Sequence, residues 1–226
     1  MPWRRQPAHS AELLAHWASL GQALGRDTPA WRKEGRRLVL SWARWPRAYH
    51  DTTHLWACLR HWHAVQDQQP AALDNPHAVA LALWYHDAIY WPWSKHNEER
   101  SADWASRFIL GQGLPATLAQ TVHQHILDTR HTPGPLTGDA VWVVDIDLAI
   151  LGQSDAVYRQ FERNVRREYF FVRWPRYVAG RSAVLQGFLD RPHIYGTDYF
   201  AQRYEAQART NLQQALHALG EGRLYP

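Results

Sequence analysis

The sequence predicts an all-α protein, and three observations carry that prediction. Apolar residues recur at spacings of three and four along the chain, short Gly- and Pro-containing breaks separate the periodic segments, and the one β-branched run, VWVVDI, has no partner strand elsewhere. At 226 residues the chain is long enough to bury most of the surface its unfolded form would expose. A metal is therefore not needed merely to hold it together. No repeat or low-complexity linker interrupts the pattern, so residues 1–226 read as a single helical domain, with a core at about 45–152 and a C-terminal helical extension at about 153–219.

Each element follows from local chemistry. Leu55, Cys58, Leu59, Trp62 and Val65 form one buried stripe on a helix beginning near Thr52 or Thr53. From His77 to Ala88 the chain is apolar almost all round and rich in Ala and Leu, which predicts the central helix of a bundle. His86 and Asp87 stand at its end. The WPWS turn then leads into a helix with Ser94 or Asn97 as N-cap and Glu98 and Glu99 in the first turn, where carboxylates suit the helix dipole. Further helices are expected at about 114–128, 138–151, 154–171, 175–189 and 197–219, separated by GQGLP, HTPGPLTGD, RWP and DRPHIYGTD. Tyr195 and Phe200 suit either core packing or stacking on a base.

Charge and cysteine content exclude some functions. Lys plus Arg is 25 against 21 for Asp plus Glu, a formal +4, and the basic residues are scattered, which disfavours a nucleic-acid partner. A sequence pI near 9.4 still admits an anionic substrate drawn in by an Arg-lined cleft. The single cysteine, Cys58, rules out an internal disulfide and points to a reducing compartment, with the cytoplasm as the default. A classical export signal is not expected, and no apolar run approaches the ~18 residues of a membrane span. The composition leaves the oligomeric state open, a homodimer included.

One constellation carries chemistry. His50 and His54 are one helical turn apart, His86 and Asp87 are adjacent, and Asp145 and Asp147 follow far along the chain. Two imidazoles and two carboxylates drawn from these six make a mixed nitrogen and oxygen donor set suited to a divalent Mn, Zn, Ni, Fe or Mg ion. Against this stands the fact that the chain has 14 histidines, and a histidine taken at random is more often on the surface or hydrogen-bonded than a ligand. Asp87 is the stronger signal. A carboxylate after a nearly continuous apolar run is costly unless it is paired, caps a helix or binds a metal. Glu98 and Glu99 can hold or deprotonate water and Arg100 can neutralise a phosphate, although EER in a first turn is also an ordinary solvated face. His131, after Thr129, is the histidine of the VHQHILDTRH segment best placed to face substrate, whereas His123 and His125 cannot share one helix face.

The ordered set His54, His86 and Asp87, then Asp147 resembles the HD superfamily of metal-dependent phosphohydrolases. YHxxxH at 49–54, ALWYHDAIY, NEERSA at 97–102, Thr129 with His131, DIDLAILG and FLDRPHIYGTDYF are similar to a bacterial subgroup of predicted HD phosphohydrolases over roughly residues 8–219. The resemblance implies an HD-domain helical bundle with additional C-terminal helices. It implies His54, His86, Asp87 and Asp147 as metal ligands, with Asp145 left toward substrate. By similarity to cyclic-nucleotide phosphodiesterases, His50 is the expected general acid. The chemistry of the residues themselves adds Glu98, Glu99 and Arg100 as expected catalytic partners, with Arg100 and His131 on the substrate side. The expected activity is hydrolysis of a small phosphorylated molecule, such as a nucleotide or other phosphoester, by metal-activated water. A dinuclear iron oxygenase using His125 and His131, and a non-catalytic nucleotide-binding module, are the alternatives.

Overall fold

The computed structural model describes residues 7–69, 71–132 and 134–225, and among them every regular element is helical. In chain order these are α1 (Ser10–Ala23), α2 (Pro29–Trp42), α3 (Thr52–Gln68), α4 (Pro76–Tyr85), α5 (Asn97–Gly111), α6 (Ala116–Asp128), α7 (Asp139–Leu148), a 3₁₀ turn (Ala149–Gly152), α8 (Asp155–Glu168), α9 (Trp174–Leu189) and α10 (Asp198–Gly220). VWVVDI is helical. The chain divides into two compact units between Val144 and Asp145, within α7. Among the described residues no helix is long and apolar enough to cross a membrane.

In the first unit α4 is the centre. Every residue from Ala78 to Tyr85 is fully buried, as an all-apolar sequence requires, and α3, α5 and α6 pack around it. Its start is anchored twice. The Asn75 side chain accepts from Ala78 N, and the Asp139 carboxylate accepts from Asp74 N and Asn75 N at 2.8 and 2.7 Å. Helices α1 and α2 close through two tryptophans that exchange bonds: Trp17 Nε1 donates to Trp31 O and Trp31 Nε1 to Trp17 O, with the rings stacked 4.6 Å apart. Glycine permits this approach. A Cβ at Gly35 would lie 2.4 Å from Trp17 Cδ1, and one at Gly21 would lie 2.5 Å from Trp31 Nε1.

The start of α5 differs from the expected caps. His96 is the N-cap and makes no capping bond with its side chain. Ser94 Oγ instead accepts from His96 N, and the Asn97 amide both accepts from Trp91 N and donates to Trp91 O. These side chains shape the loop that follows the His-Asp pair; Glu98 and Glu99 do occupy the first turn.

In the second unit the 3₁₀ turn packs on α10, where Gly152 allows contact with Tyr204: an added Cβ would meet the Tyr204 Cβ at 2.4 Å. Asn211 Nδ2 donates to Leu151 O and Gln153 O, satisfying carbonyls left over as the helix tightens. Between α8 and α9 the buried Glu162 accepts from Arg181 at 2.6 Å and from the Tyr158 hydroxyl at 2.8 Å. Tyr195 and Phe200 are buried and stack on each other, so they serve the core.

Candidate metal centre

The site begins with a helix start. The Asp51 carboxylate caps α3 by accepting from Thr53 N and His54 N, which holds His54 in the first turn with its ring pointing inward. His86 follows directly on α4 in α-helical conformation, with Asp87 next to it. Trp42 covers both imidazoles, its ring centroid 6.1 Å from His54 and 5.2 Å from His86, and donates from Nε1 to Trp84 O. His54 and His86 are 6% and 1% exposed, so little water reaches them.

The two rings meet through their Nε2 atoms at 3.3 Å. His86 Nδ1 lies 2.9 Å from Leu83 O, and a carbonyl can only accept, so neutral His86 carries its proton on Nδ1 and presents the Nε2 lone pair. His54 Nδ1 lies 3.1 Å from the Tyr49 hydroxyl, which suits two arrangements. If Tyr49 donates, His54 Nε2–H points at His86 and a plain hydrogen bond results. If Tyr49 accepts, two lone pairs face each other and call for a cation between them. At Zn–N lengths of about 2.0–2.1 Å, a 3.3 Å separation subtends about 104–111°, close to tetrahedral. The donor geometry therefore fits a metal ion.

Further donors converge. One possible ligand atom each from His54, Cys58 and His86 lie within 4.8 Å of one another. This group could hold a metal ion. Asp87 is not one of these donors, but its Oδ2 lies 3.4 Å from His86 Nε2, so it borders the same space. Asp145 is turned elsewhere: Oδ1 accepts from Gly196 N, and Oδ2 accepts from Thr197 N and Oγ1. Burial raises its pKa against the pull of those bonds.

The backbone around the site is drawn together by Arg47. Its guanidinium donates to His50 O and Asp87 O, both at 2.7 Å, and to Ala88 O at 3.1 Å, while lying over the Trp42 and Tyr90 rings. His50 precedes the cap residue, stacks on Tyr90 at 4.2 Å and has its ring 6.1 Å from that of His54. On α5, burial and then the charge of Asp87 raise the pKa of Glu98, which sets that carboxyl in the field of the site. Glu99 instead pairs with Arg130 at 2.5 Å. Arg100 lines a pocket of about 340 Å³ with Trp91, Trp93 and Ser94.

His123, His125 and His131 are not among these donors. His123 Nε2 is 3.4 Å from Asp103 on an exposed face. His125 is buried, its pKa lowered by burial, and neither ring nitrogen has a hydrogen-bond partner among the described residues. His131 follows α6 with φ of 55°. Neither His125 nor His131 belongs to the group around His54 and His86.

Sequence reasoning missed two residues. Cys58 was absorbed into the apolar stripe, although its position four after His54 places both side chains on one face. Arg47 carries no motif, and its role rests on backbone carbonyls, two of them 40 and 41 residues away. No family model matches the chain, and neither the curated proteins nor the solved structures compared with it include a significant match.

Proposed function

We propose that the chain is a metal-dependent phosphohydrolase acting on a small phosphorylated molecule, a nucleotide or other phosphoester. The observation that carries this reading is the pair of buried imidazole Nε2 atoms 3.3 Å apart, one with its lone pair set by Leu83 O, bordered by the Asp87 carboxylate. The order His54, His86 with Asp87, then Asp147 supports it through the resemblance to HD phosphohydrolases. His54, His86 and Asp147 would hold the ion, with Asp87 beside them. A bound divalent ion would supply a Lewis acid for phosphoryl oxygen and lower the pKa of its water toward about 7.

The chain's own residues divide the remaining work. Glu98, its pKa raised by burial, accepts a proton from the attacking water. His50, held by Arg47 through its carbonyl and by Tyr90 through its ring, donates a proton to the leaving oxygen. Arg100 neutralises phosphate charge, and the indoles of Trp91 and Trp93 in the same pocket offer faces on which a base can stack. His131 stays on the substrate side. Glu99 is engaged by Arg130. Asp145 has no direct part, because both its oxygens are engaged by residues 196 and 197.

The test is elemental analysis of protein purified without chelator or nickel affinity resin, followed by phosphate release from nucleoside monophosphates, cyclic nucleotides and p-nitrophenyl phosphate. His86→Ala should lose metal and turnover together, whereas His50→Ala should keep the metal and lose turnover. Metal bound with no turnover on any of these substrates would replace the hydrolase with a binding module. Two irons per chain would favour an oxygenase.

A further inference from the structure

We propose that Cys58 is a thiolate ligand of the metal ion, making this a sulfur-, nitrogen- and oxygen-donor site that selects thiophilic ions such as Zn, Fe(II) or Co(II) over Mg. The inference rests on the reading of His54 and His86 as ligands and goes beyond it in naming the donor that sets ion preference.

Cys58 lies one turn after His54 on α3, so the two side chains share a face. Its Sγ is 3.7 Å from His54 Nε2 and 3.8 Å from Nδ1. With Zn–N of about 2.05 Å and Zn–S of about 2.3 Å, ligand atoms at the tetrahedral angle stand about 3.3 Å apart for two nitrogens and about 3.6 Å for nitrogen and sulfur. The 3.3 Å between the two Nε2 atoms matches that spacing, whereas Sγ, nearly equidistant from both ring nitrogens of His54, lies against the ring and reaches the ion by a turn about its Cα–Cβ bond. His54, Cys58 and His86 each offer a donor atom within 4.8 Å of the others.

The ordinary role of a buried cysteine is that of a small hydrophobe, and Cys58 at 1% exposure has that burial. Its surroundings differ from an apolar core, since the thiol faces imidazole nitrogens. Coordination forms an S–metal bond and releases the thiol proton to solvent, so ion binding should tighten as pH rises. Soft thiolate favours Zn, Fe(II) and Co(II), while Mg demands oxygen donors.

The chain's single cysteine makes the test direct, because any thiolate signal belongs to Cys58. Metal-free wild-type chain, Cys58→Ser and His86→Ala would be titrated with Co(II) alone, reading the bound ion and the near-ultraviolet thiolate-to-cobalt charge-transfer band. The expected result is one cobalt and a clear band in the wild type, cobalt bound at least tenfold more weakly and without the band in Cys58→Ser, and no binding in His86→Ala. Cobalt bound by the wild type without the band, and lost in His86→Ala, would overturn the thiolate and leave the histidine site standing. Failure of the folded wild type to bind cobalt would overturn both. The wild-type spectrum decides the question even if a variant does not fold.

Discussion

Tyr49→Phe isolates the hydrogen bond that orients His54. The substitution keeps the ring, tilted against His54 at 4.7 Å and edge-on to His50 at 4.7 Å, and removes only the hydroxyl 3.1 Å from His54 Nδ1. With the ion bound, His54 must present the Nε2 lone pair, so its proton sits on Nδ1 and is donated to the Tyr49 oxygen. Loss of such an outer partner typically weakens metal affinity about 10- to 100-fold, or about 1.4–2.7 kcal/mol. His86 keeps its bond to Leu83 O in the variant, so binding should weaken without vanishing. The metal-free chain should lose no more than about 1.5 kcal/mol, the net value of one hydrogen bond. Competition against a chromophoric chelator measures the first quantity, and urea unfolding of metal-free protein measures the second. Affinity unchanged within twofold would refute the assignment of the Tyr49 hydroxyl as orienter of a ligand. A large stability loss with affinity intact would make the contact purely structural.

Two predictions concern the first unit. Gly35→Ala should destabilise the chain by about 1–3 kcal/mol, because the new methyl meets the buried Trp17 ring at 2.4 Å and the better helix propensity of Ala recovers only part of the cost. A urea midpoint at or above the wild-type value would show that the α1–α2 contact gives way freely. Acid should weaken the fold through His16, whose pKa is lowered from 6.5 to about 4, first by burial and then by His63. Its Nδ1 accepts from Trp84 Nε1 and can do so only when unprotonated. The unfolded chain binds this proton first, so the contribution of at most about 3 kcal/mol is present above pH 6.5 and is lost as pH falls from 6.5 toward 4. His16→Gln keeps an acceptor but cannot titrate, and should flatten the stability profile in that window. An unchanged slope would remove His16 from the account.

Helix order and the central place of α4 are readable from periodicity and turn chemistry, because a segment apolar on every side has nowhere to go but the middle of a bundle. The His-Asp pair at its end was equally legible, as a carboxylate that an apolar helix carries inward needs a partner. Other features depended on distance in space. Asp145 and Asp147 are two residues apart on one helix, so their side chains diverge by about 200° and only one of them can face a given site. The fold gives Asp145 to residues 196 and 197. Cys58 in a linear reading is one more member of an apolar stripe. Its nearness to imidazole nitrogen comes from the helical turn that aligns it with His54 and from α4, which sets His86 opposite them. Arg47 lies further still from any motif, since it acts through backbone carbonyls that every residue possesses. Local rules specify which segments coil and which face is buried; long-range packing selects which polar atoms meet, because a hydrogen bond or a ligand set depends on a few tenths of an ångström between residues far apart in the chain.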